Sequence, residues 1–431
     1  MRRCRVTVWV VWIDLVGILA IVFKVTVPEK VQLSMHMVRQ GKTVQLRLRK
    51  DLTRSVKRGH AWLYSDAIDL VRADSGSVAV LSDRRGDKQL ASGIYDPGHA
   101  IPLRICCTQP PLTLDDAWLA RRLQAAVELR ETAFDQHTSG YRLVAGEGDG
   151  MPGLIVDVYD RTAVIKLDGG APQAFYQPSG IAQWLCDHLP VECVVLRSRQ
   201  RGSAGEVLIG QLHSENVPFL ENGLRFTADV LHGQKTGFFL DQRDNRALIE
   251  CLSRGRRVLN LFSFNGGFSV AAGRGGAAQV TSVDIAAPAI AAAEAHWLLN
   301  ELSAGQHVGI VADCFEFLEQ SVGDKQRWDV VICDPPSFAP NEKSREKALA
   351  AYGRLAQLSA KVTRPGGLLA LASCSSHVDA SAFREVNAEA FGRARRCATL
   401  LTDNSLPIDH PTPLAMPELR YLKFQLYRLD G

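Results

Sequence analysis

Two short segments carry residue types suited to covalent chemistry. Ile332–Ser344 reads ICDPPSFAPNEKS and Ala372–His377 reads ASCSSH, and each begins at the end of an apolar run with the composition of a buried strand. The first sets Asp334 before Pro335 and Pro336; the second sets Cys374 among Ser373, Ser375, Ser376 and His377. A thiolate that adds to carbon 6 of a pyrimidine turns carbon 5, a poor nucleophile, into an enamine carbon able to take a methyl group. A carboxylate beside it can accept a hydrogen bond from an exocyclic base amine such as cytosine N4. The two prolines lack N–H groups, so they end a sheet ladder and hold the loop open. Phe338 offers a face for an extruded base or a ring for the core. Cys333 and Cys314 are read as packing residues, and the plain alternative for Cys374 is also a small buried hydrophobe.

These segments need a scaffold that brings strand ends together. From about Ala228 apolar strands alternate with helices: RRVLNLFSFNGG, AQVTSVDI, HVGIVADCFEFL, WDVVICDPP and GGLLALASCS each close a strand, and PAIAAAEAHWLLNEL is helical. The alternation predicts an α/β fold with a doubly wound, Rossmann-like parallel sheet and function at the carboxyl ends of its strands. Neighbouring fourth and fifth strands are then expected to set Asp334 and Cys374 side by side, about 5 Å apart. A glycine turn at Gly266 and Gly267 follows the first strand, and Asp284 follows the second. That plan holds a nucleoside, with the carboxylate on the ribose hydroxyls. The turn FSFNGGFSVAAG does not provide the GxGxxG of a dinucleotide fingerprint, and GQKTG at 233–237 lacks the GK-Ser/Thr of a phosphate loop because Gln234 precedes Lys235. A nucleoside ligand without phosphates is left, and S-adenosylmethionine fits: the glycines for its amino-acid end, Asp284 for the ribose and Asp313 near the adenine.

Upstream the pattern changes. The chain has 431 residues, enough for about three domains at ~150 residues each. Residues 41–116 form a β-rich module with the short strands TVQLRLRK, VAVLSD, QLASGIYD and IPLRIC. Arg39 to Arg58 holds eight Lys or Arg against Asp51 alone, a surface suited to phosphates, although the net charge is only +4. Residues 117–227 read as a small α+β unit. Its helix TLDDAWLARRLQAAVELRETAF is expected to be capped by Thr113, and three strands follow, with the turn Gly146–Gly153 between the first two. That turn lacks the alternating ligands of a calcium loop. Residues 228–431 are the catalytic unit. Ten cysteines without a CxxC pair predict neither a zinc site nor a disulfide framework, so no metal is expected and the compartment is reducing, hence cytoplasmic. Residues 1–40 form an apolar extension. Val6–Phe23 has nearly the length of a membrane span but contains Asp14, and a dispensable extension ahead of Met35 or Met37 is preferred to an anchor.

In combination these motifs resemble the bacterial PUA-domain class I methyltransferases of large-subunit ribosomal RNA, of the 23S cytosine-5 type. KDLTRSVKRGHAWLYSDAI is similar to the start of the family's PUA domain and GEGDGMPGLIVDVY to its central turn. GQKTGFFLDQRDNR, VLNLFSFNGGFSV, DPPSF, SCSSH and HPTPLAMPELRYLKFQLYRL look like its catalytic signatures. The resemblance implies that the PUA and central domains grip 23S ribosomal RNA, with Arg54, Lys57 and Arg58, and Pro335, Pro336 and Phe338, on the substrate side. It implies that Lys235, Thr236, Phe238, Asp241 and Arg243 border S-adenosylmethionine, and that Asn260, Phe262, Ser263, Gly266 and Gly267 form its main loop. Asp284, Asp313 and Asp334 are implied to complete the cofactor site, and Cys374 with Asp334 to be catalytic. Many RNA cytosine-5 enzymes carry a second cysteine after Asp-Pro; here Ser337 follows Pro336, so product release has to work without it. A homodimer is among the assemblies the resemblance allows. Two alternatives stay open: methylation of guanine or another base with Cys374 structural, and an RNA-binding or ribosome-assembly protein without catalysis.

Overall fold

The computed structural model describes residues 36–39, 41–198, 203–339 and 341–430, with the backbone of 8–10 and 23–25. Most of the apolar stretch Val6–Phe23 therefore lies outside the described residues. Among the described residues no helix is long and apolar enough to cross a membrane.

The first module is a five-stranded sheet in the order Val44–Arg47, Ser77–Ser82, Gln89–Tyr95, Leu103–Cys107 and Trp62–Leu63. Leu46, Leu81, Leu90 and Ile105 fill its core, as the alternation in the sequence predicts. The second unit is also a five-stranded sheet rather than the three strands expected. Gly140–Ala145, Leu154–Tyr159 and Thr162–Leu167 form a meander, and the helix Pro178–His188 crosses over to the parallel strand Cys193–Arg197, flanked by Glu206–Ile209. The last two strands are short, and their apolar runs do not distinguish strand from helix.

The helix Asp116–Ala133 packs under this sheet. Its cap is Asp115, which accepts from Trp118 N at 2.8 Å, and not Thr113. Asp116 in the first turn accepts from Met37 N at 2.8 Å and Val38 N at 3.1 Å. Both residues are buried in the central core, so the extension of residues 1–40 ends inside the second domain instead of before the first. A second boundary shifts as well: a division at 227/228 would cut the hairpin Asn216–Glu221/Leu224–Asp229 within its second strand. Its Phe219 and Phe226 pack with Tyr159 of the central sheet and Phe238, Val270 and Ala271 of the catalytic unit, so the hairpin bridges the two.

The catalytic sheet has seven strands: β1 (Arg257–Leu261), β2 (Gln279–Asp284), β3 (His307–Val311), β4 (Trp328–Cys333), β5 (Thr363–Ser373), β6 (Cys397–Asn404) and β7 (Lys423–Asp430). Their order is β3-β2-β1-β4-β5-β7-β6. β1 to β5 are parallel, and β7 is antiparallel to both β5 and β6. The order reverses between β1 and β4, which opens a crevice at their carboxyl ends. Apolar residues on both faces, such as Val331 and Leu369 on one and Val330 and Ala370 on the other, are sealed by helices.

Asp409, in the loop between β6 and β7, ties this sheet to the central unit. Its side chain accepts from Arg142 N and Arg243 Nη1, each at 2.9 Å, and its carbonyl accepts from Arg130 Nη2 at 2.8 Å. The Asp409 carboxylate and the Arg243 guanidinium are both buried, so removing one partner strands the other charge, at a cost of ~3–5 kcal/mol. Asp409→Ala is expected to lower the urea midpoint and thermal midpoint by a corresponding amount. An unchanged midpoint would show that the two units are held by other contacts.

Candidate active site

Beyond β1 the chain enters the loop Phe262–Gly267, where Phe262, Phe264 and Gly266 take left-handed φ of 54°, 46° and 79°. Two phenylalanines in that region are strained, and the strain is sustained by contacts around the loop. Asp284, at the end of β2, accepts from Phe264 N and from Ala286 N at 2.9 Å each. A Cβ on Gly266 would stand 2.6 Å from that of Ala293, so the loop approaches the helix Ala287–Leu299 only without a side chain there. Asn260 Nδ2 donates to Ser269 Oγ at 2.9 Å, and that hydroxyl meets Ser282 Oγ at 2.6 Å.

Asn260 Oδ1, Ser263 Oγ and Asp241 Oδ1 are buried without a partner among the described residues. Unused acceptors beside a glycine turn suit a ligand that brings ammonium and hydroxyl donors and no phosphate, which is the donor set of S-adenosylmethionine. Asp313 caps the helix Cys314–Gly323 through Phe315 N at 2.8 Å and Glu316 N at 3.1 Å. Ile285, 71% exposed directly after Asp284, adds an apolar surface that sequence reasoning passed over.

The segment 233–243 divides between two sides. Lys235 faces the crevice: its Nζ donates to Asp241 Oδ2 at 2.6 Å and lies 4.6 Å from the centre of the Phe239 ring. Tyr421 OH donates to the same carboxylate oxygen at 2.6 Å. Burial pushes the Asp241 carboxyl up, but the Lys235 ammonium, His410 and the two hydrogen bonds hold it well below the ordinary carboxylate range. Thr236, Phe238 and Arg243 turn the other way. Thr236 Oγ1 bonds Asp157 and meets Tyr159 OH at 3.0 Å, Phe238 packs edge-on to Phe219, and the Arg243 guanidinium lies 4.3 Å over Phe134. These three side chains bind this unit to its neighbours and leave the crevice side to Lys235 and Asp241. The segment is a run of turns leading into the 3-10 turn Leu240–Gln242 and the helix Arg243–Cys251, so the side each residue faces follows from that path and not from the motif.

At the β4 and β5 ends the register pairs Cys333 with Leu371, so Cys374 stands two positions beyond the level of Asp334 and not beside it. β5 can extend further because β7 continues to pair with it up to Ser373. Ser375 Oγ joins the two ends: it lies 3.0 Å from Ser337 Oγ and 2.8 Å from Tyr352 OH, and accepts from Ala339 N at 3.2 Å. Ser337, at the position of the missing second cysteine, thus serves this clamp. Pro335 is buried and Pro336 exposed; the Phe338 ring packs 5.0 Å from that of Tyr352, which commits it to the core.

Asp334 Oδ2 accepts from Gln242 Nε2 at 2.8 Å. Burial, reinforced by the Asp241 carboxylate, pushes Asp334 up to about 7 against that bond. Burial and the Asp334 carboxylate push the Cys374 thiol up to about 11, while the ammonium groups of Lys235 and Lys423 act the other way. Cys374 is half-buried, whereas Cys314 and Cys333 are sealed in the core. The sequence gives Gln242, Tyr421 and Lys423 no individual role and Ser375 only that of a polar neighbour of Cys374, since nothing local marks their partners.

Of the basic stretch in the first module, Arg39 pairs with Asp74, Arg47 and Arg49 pair with Asp69, and Lys50 pairs with Asp66. Arg54, Lys57 and Arg58, on and just after the short helix Thr53–Lys57, are exposed and have no ion pair among the described residues.

A family model described as an S-adenosylmethionine-dependent methyltransferase matches residues 181–390, and one described as a PUA-like domain matches residues 46–108. The ribosomal RNA large subunit methyltransferase of Deinococcus radiodurans is 43% identical over 404 residues, spanning 90% of this chain and 98% of that protein. The chain belongs to the PUA-domain ribosomal RNA large subunit methyltransferase family. Ribosomal RNA large subunit methyltransferase I of Serratia proteamaculans is 34% identical over 393 residues, spanning 88% of this chain and 98% of that protein. A crystal structure of a provisionally named methyltransferase complexed with SAH superposes with a TM-score of 0.79 at 25% identity, covering 90% of this chain and 100% of that one. The cofactor of this family member is S-adenosylmethionine, and the crevice of Asn260, Ser263, Asp241 and Asp284 has the donors and acceptors to hold it.

The raised Asp334 carboxyl makes stability depend on pH. Its ordinary value is 3.8 and its folded value about 7, so the folded state retains a proton that the unfolded state releases between those limits. Stability is full below the lower value and is lost as pH rises through the upper one. Three pK units correspond to at most about 4 kcal/mol. Asp334→Asn is expected to be more stable than wild type by up to that amount in urea denaturation at pH 8, with the gap closing toward pH 4. Equal stability at pH 8 would mean that the carboxyl is well solvated.

Proposed function

We propose that this chain transfers the methyl group of S-adenosylmethionine to carbon 5 of a cytosine in 23S ribosomal RNA, through a covalent bond between Cys374 and carbon 6. The observation that carries the reading is the Cys374 thiol itself, half-buried at the β5 end within the field of Asp334, while Cys333 at the β4 end and Cys314 beyond β3 are sealed in the core. A merely structural cysteine has no need of the hydroxyl clamp through Ser375 that fixes its strand end to the Asp334 loop.

At rest the thiol is protonated. This reading assigns that proton to the Asp334 carboxylate, which is about half ionised near pH 7 and whose charge acts on the thiol. The sulfur then bonds to carbon 6, and the electron pair of the carbon 5–carbon 6 double bond moves to carbon 5. Bound S-adenosylmethionine supplies an electrophilic methyl on a sulfonium and is left as the neutral thioether. After carbon 5 has gained the methyl it loses its proton to water, the carbon–sulfur bond breaks, and the ring double bond returns with release of the thiolate. Asp334 also fits the role of acceptor for the N4 amine of cytosine.

Support for ribosomal RNA comes from the relatives, two of which are named as ribosomal RNA large subunit methyltransferases. Arg54, Lys57 and Arg58, exposed and without an ion pair among the described residues, suit phosphate contacts, which position a nucleic acid without reading its sequence.

The test is nucleoside mass spectrometry of unmodified 23S RNA incubated with S-adenosylmethionine and wild type or Cys374→Ala. 5-Methylcytidine is expected with wild type and is expected to fall at least about a thousandfold in the variant, the scale of losing a nucleophile. Methylation that persists without the thiol, or that falls on guanine, would return Cys374 to a packing role.

A further inference from the structure

Lys423 has no part in the reaction as described so far. It is the first residue of β7, and its backbone pairs with Ser373, the residue before Cys374. Its side chain is buried, with the whole residue only 4% exposed. Nζ donates to Ser375 O at 2.6 Å and to Tyr421 O at 2.8 Å, and it forms no ion pair with a carboxylate among the described residues. A buried ammonium satisfied only by carbonyls retains an uncompensated charge, which is costly. A neutral amide could hold the same two carbonyls at less cost. The charge therefore asks for an anion that the resting protein does not display.

Several groups face this pair. Cys374 is approached by Asp334 from the β4 end, by Lys235 and Asp241 from the segment 233–243, and by Lys423 from β7; Lys423 itself faces Cys374 and Asp379. Of the two ammonium groups, Lys235 is already bound to Asp241. Asp379 is engaged as the cap of the helix Ala380–Arg393, accepting from Ala382 N at 2.8 Å, so the anion left for Lys423 is the thiolate.

We propose that Lys423 is a positioning residue for Cys374: two backbone carbonyls fix its ammonium at the β5 end, where its charge stabilises the thiolate once the thiol proton has left. Burial draws the Lys423 ammonium down to about 8, so the charge is still present near neutral pH. The inference rests on Cys374 as the nucleophile for its use in the reaction, but the ionisation of the thiol is measurable without RNA.

The experiment is site-resolved alkylation of the full chain by iodoacetamide, followed by peptide mass spectrometry from pH 7 to pH 10. The exposed Cys251 and Cys397 serve as internal standards. Lys423→Gln keeps donors for the carbonyls and removes the charge; Lys423→Arg keeps the charge. At pH 7.5, where the Lys423 ammonium is still largely present, the Gln variant is expected to alkylate at Cys374 at least about tenfold more slowly than wild type, a shift of one pK unit or more, with the difference closing toward pH 10 as the ammonium loses its proton. The Arg variant is expected to stay within about threefold of wild type, and the two standards to be unchanged. A folded Gln variant that reacts at the wild-type rate overturns the proposal, as does an Arg variant as slow as Gln. Should the Gln variant not fold, the Arg variant still decides: a rate outside the threefold range overturns the proposal. If instead Cys374→Ala continues to make 5-methylcytidine, the reading of Cys374 fails while the alkylation profile still reports what Lys423 does to the thiol.

Discussion

Because β7 runs antiparallel between β5 and β6, its first residue lies at the carboxyl edge of the sheet, where every parallel strand ends. The segment that leads into β7 has to cross that edge, and it carries Tyr421 to Asp241 and Lys423 to the carbonyl of Ser375. A parallel final strand would have delivered its start to the opposite edge and left the crevice without Tyr421 and Lys423. Antiparallel pairing also lets β5 remain hydrogen-bonded up to Ser373, two positions beyond the level at which β4 gives way to its prolines. The stagger between Asp334 and Cys374 follows from that pairing.

The electrostatics of the crevice come from placing charges where water is scarce. Lys235 and Asp241 form a tight pair that Tyr421 completes. The negative end of that pair, together with burial, is what raises Asp334. Burial and the Asp334 charge in turn raise Cys374, so the resting site keeps its proton inventory: a protonated thiol within the field of a carboxyl poised near neutrality. Such coupling ties reactivity to the geometry of a few hydrogen bonds, since local interactions between charges strengthen as the dielectric falls. The same logic holds the units together. Arg246 is bound bidentately by Glu221 of the hairpin at 2.6 Å, and Arg243 by Asp409, so the segment that carries Lys235 and Asp241 is anchored on both sides by buried ion pairs.

Much of this site is legible in the sequence because a parallel sheet sends all its strand ends to one edge. Gly266, Asp284, Asp313, Asp334 and Cys374 each follow an apolar run, and the run supplies their position without any long-range information. What stays hidden depends on direction or on partners distant in the chain. LRYLKFQLY reads as a strand in either orientation, so nothing marks Lys423 or Tyr421 as crevice residues. Thr236 and Arg243 sit in the right segment but face Asp157 and Asp409, far away in sequence. The hairpin at 216–229 carries alternating apolar residues on both strands, yet only the packing of Phe219 and Phe226 against Tyr159 and Phe238 makes it a bridge.

The central claim is a bond between Cys374 and carbon 6 of a cytosine, and it is tested most directly by trapping that bond. RNA carrying 5-fluorocytidine has no proton to lose from carbon 5 after methyl transfer, so elimination of the sulfur cannot follow. Incubated with the enzyme and S-adenosylmethionine, such RNA is expected to remain attached through denaturing electrophoresis, and peptide mass spectrometry to locate the attachment on Cys374. RNA that migrates free, or an adduct on any other residue, would contradict the mechanism.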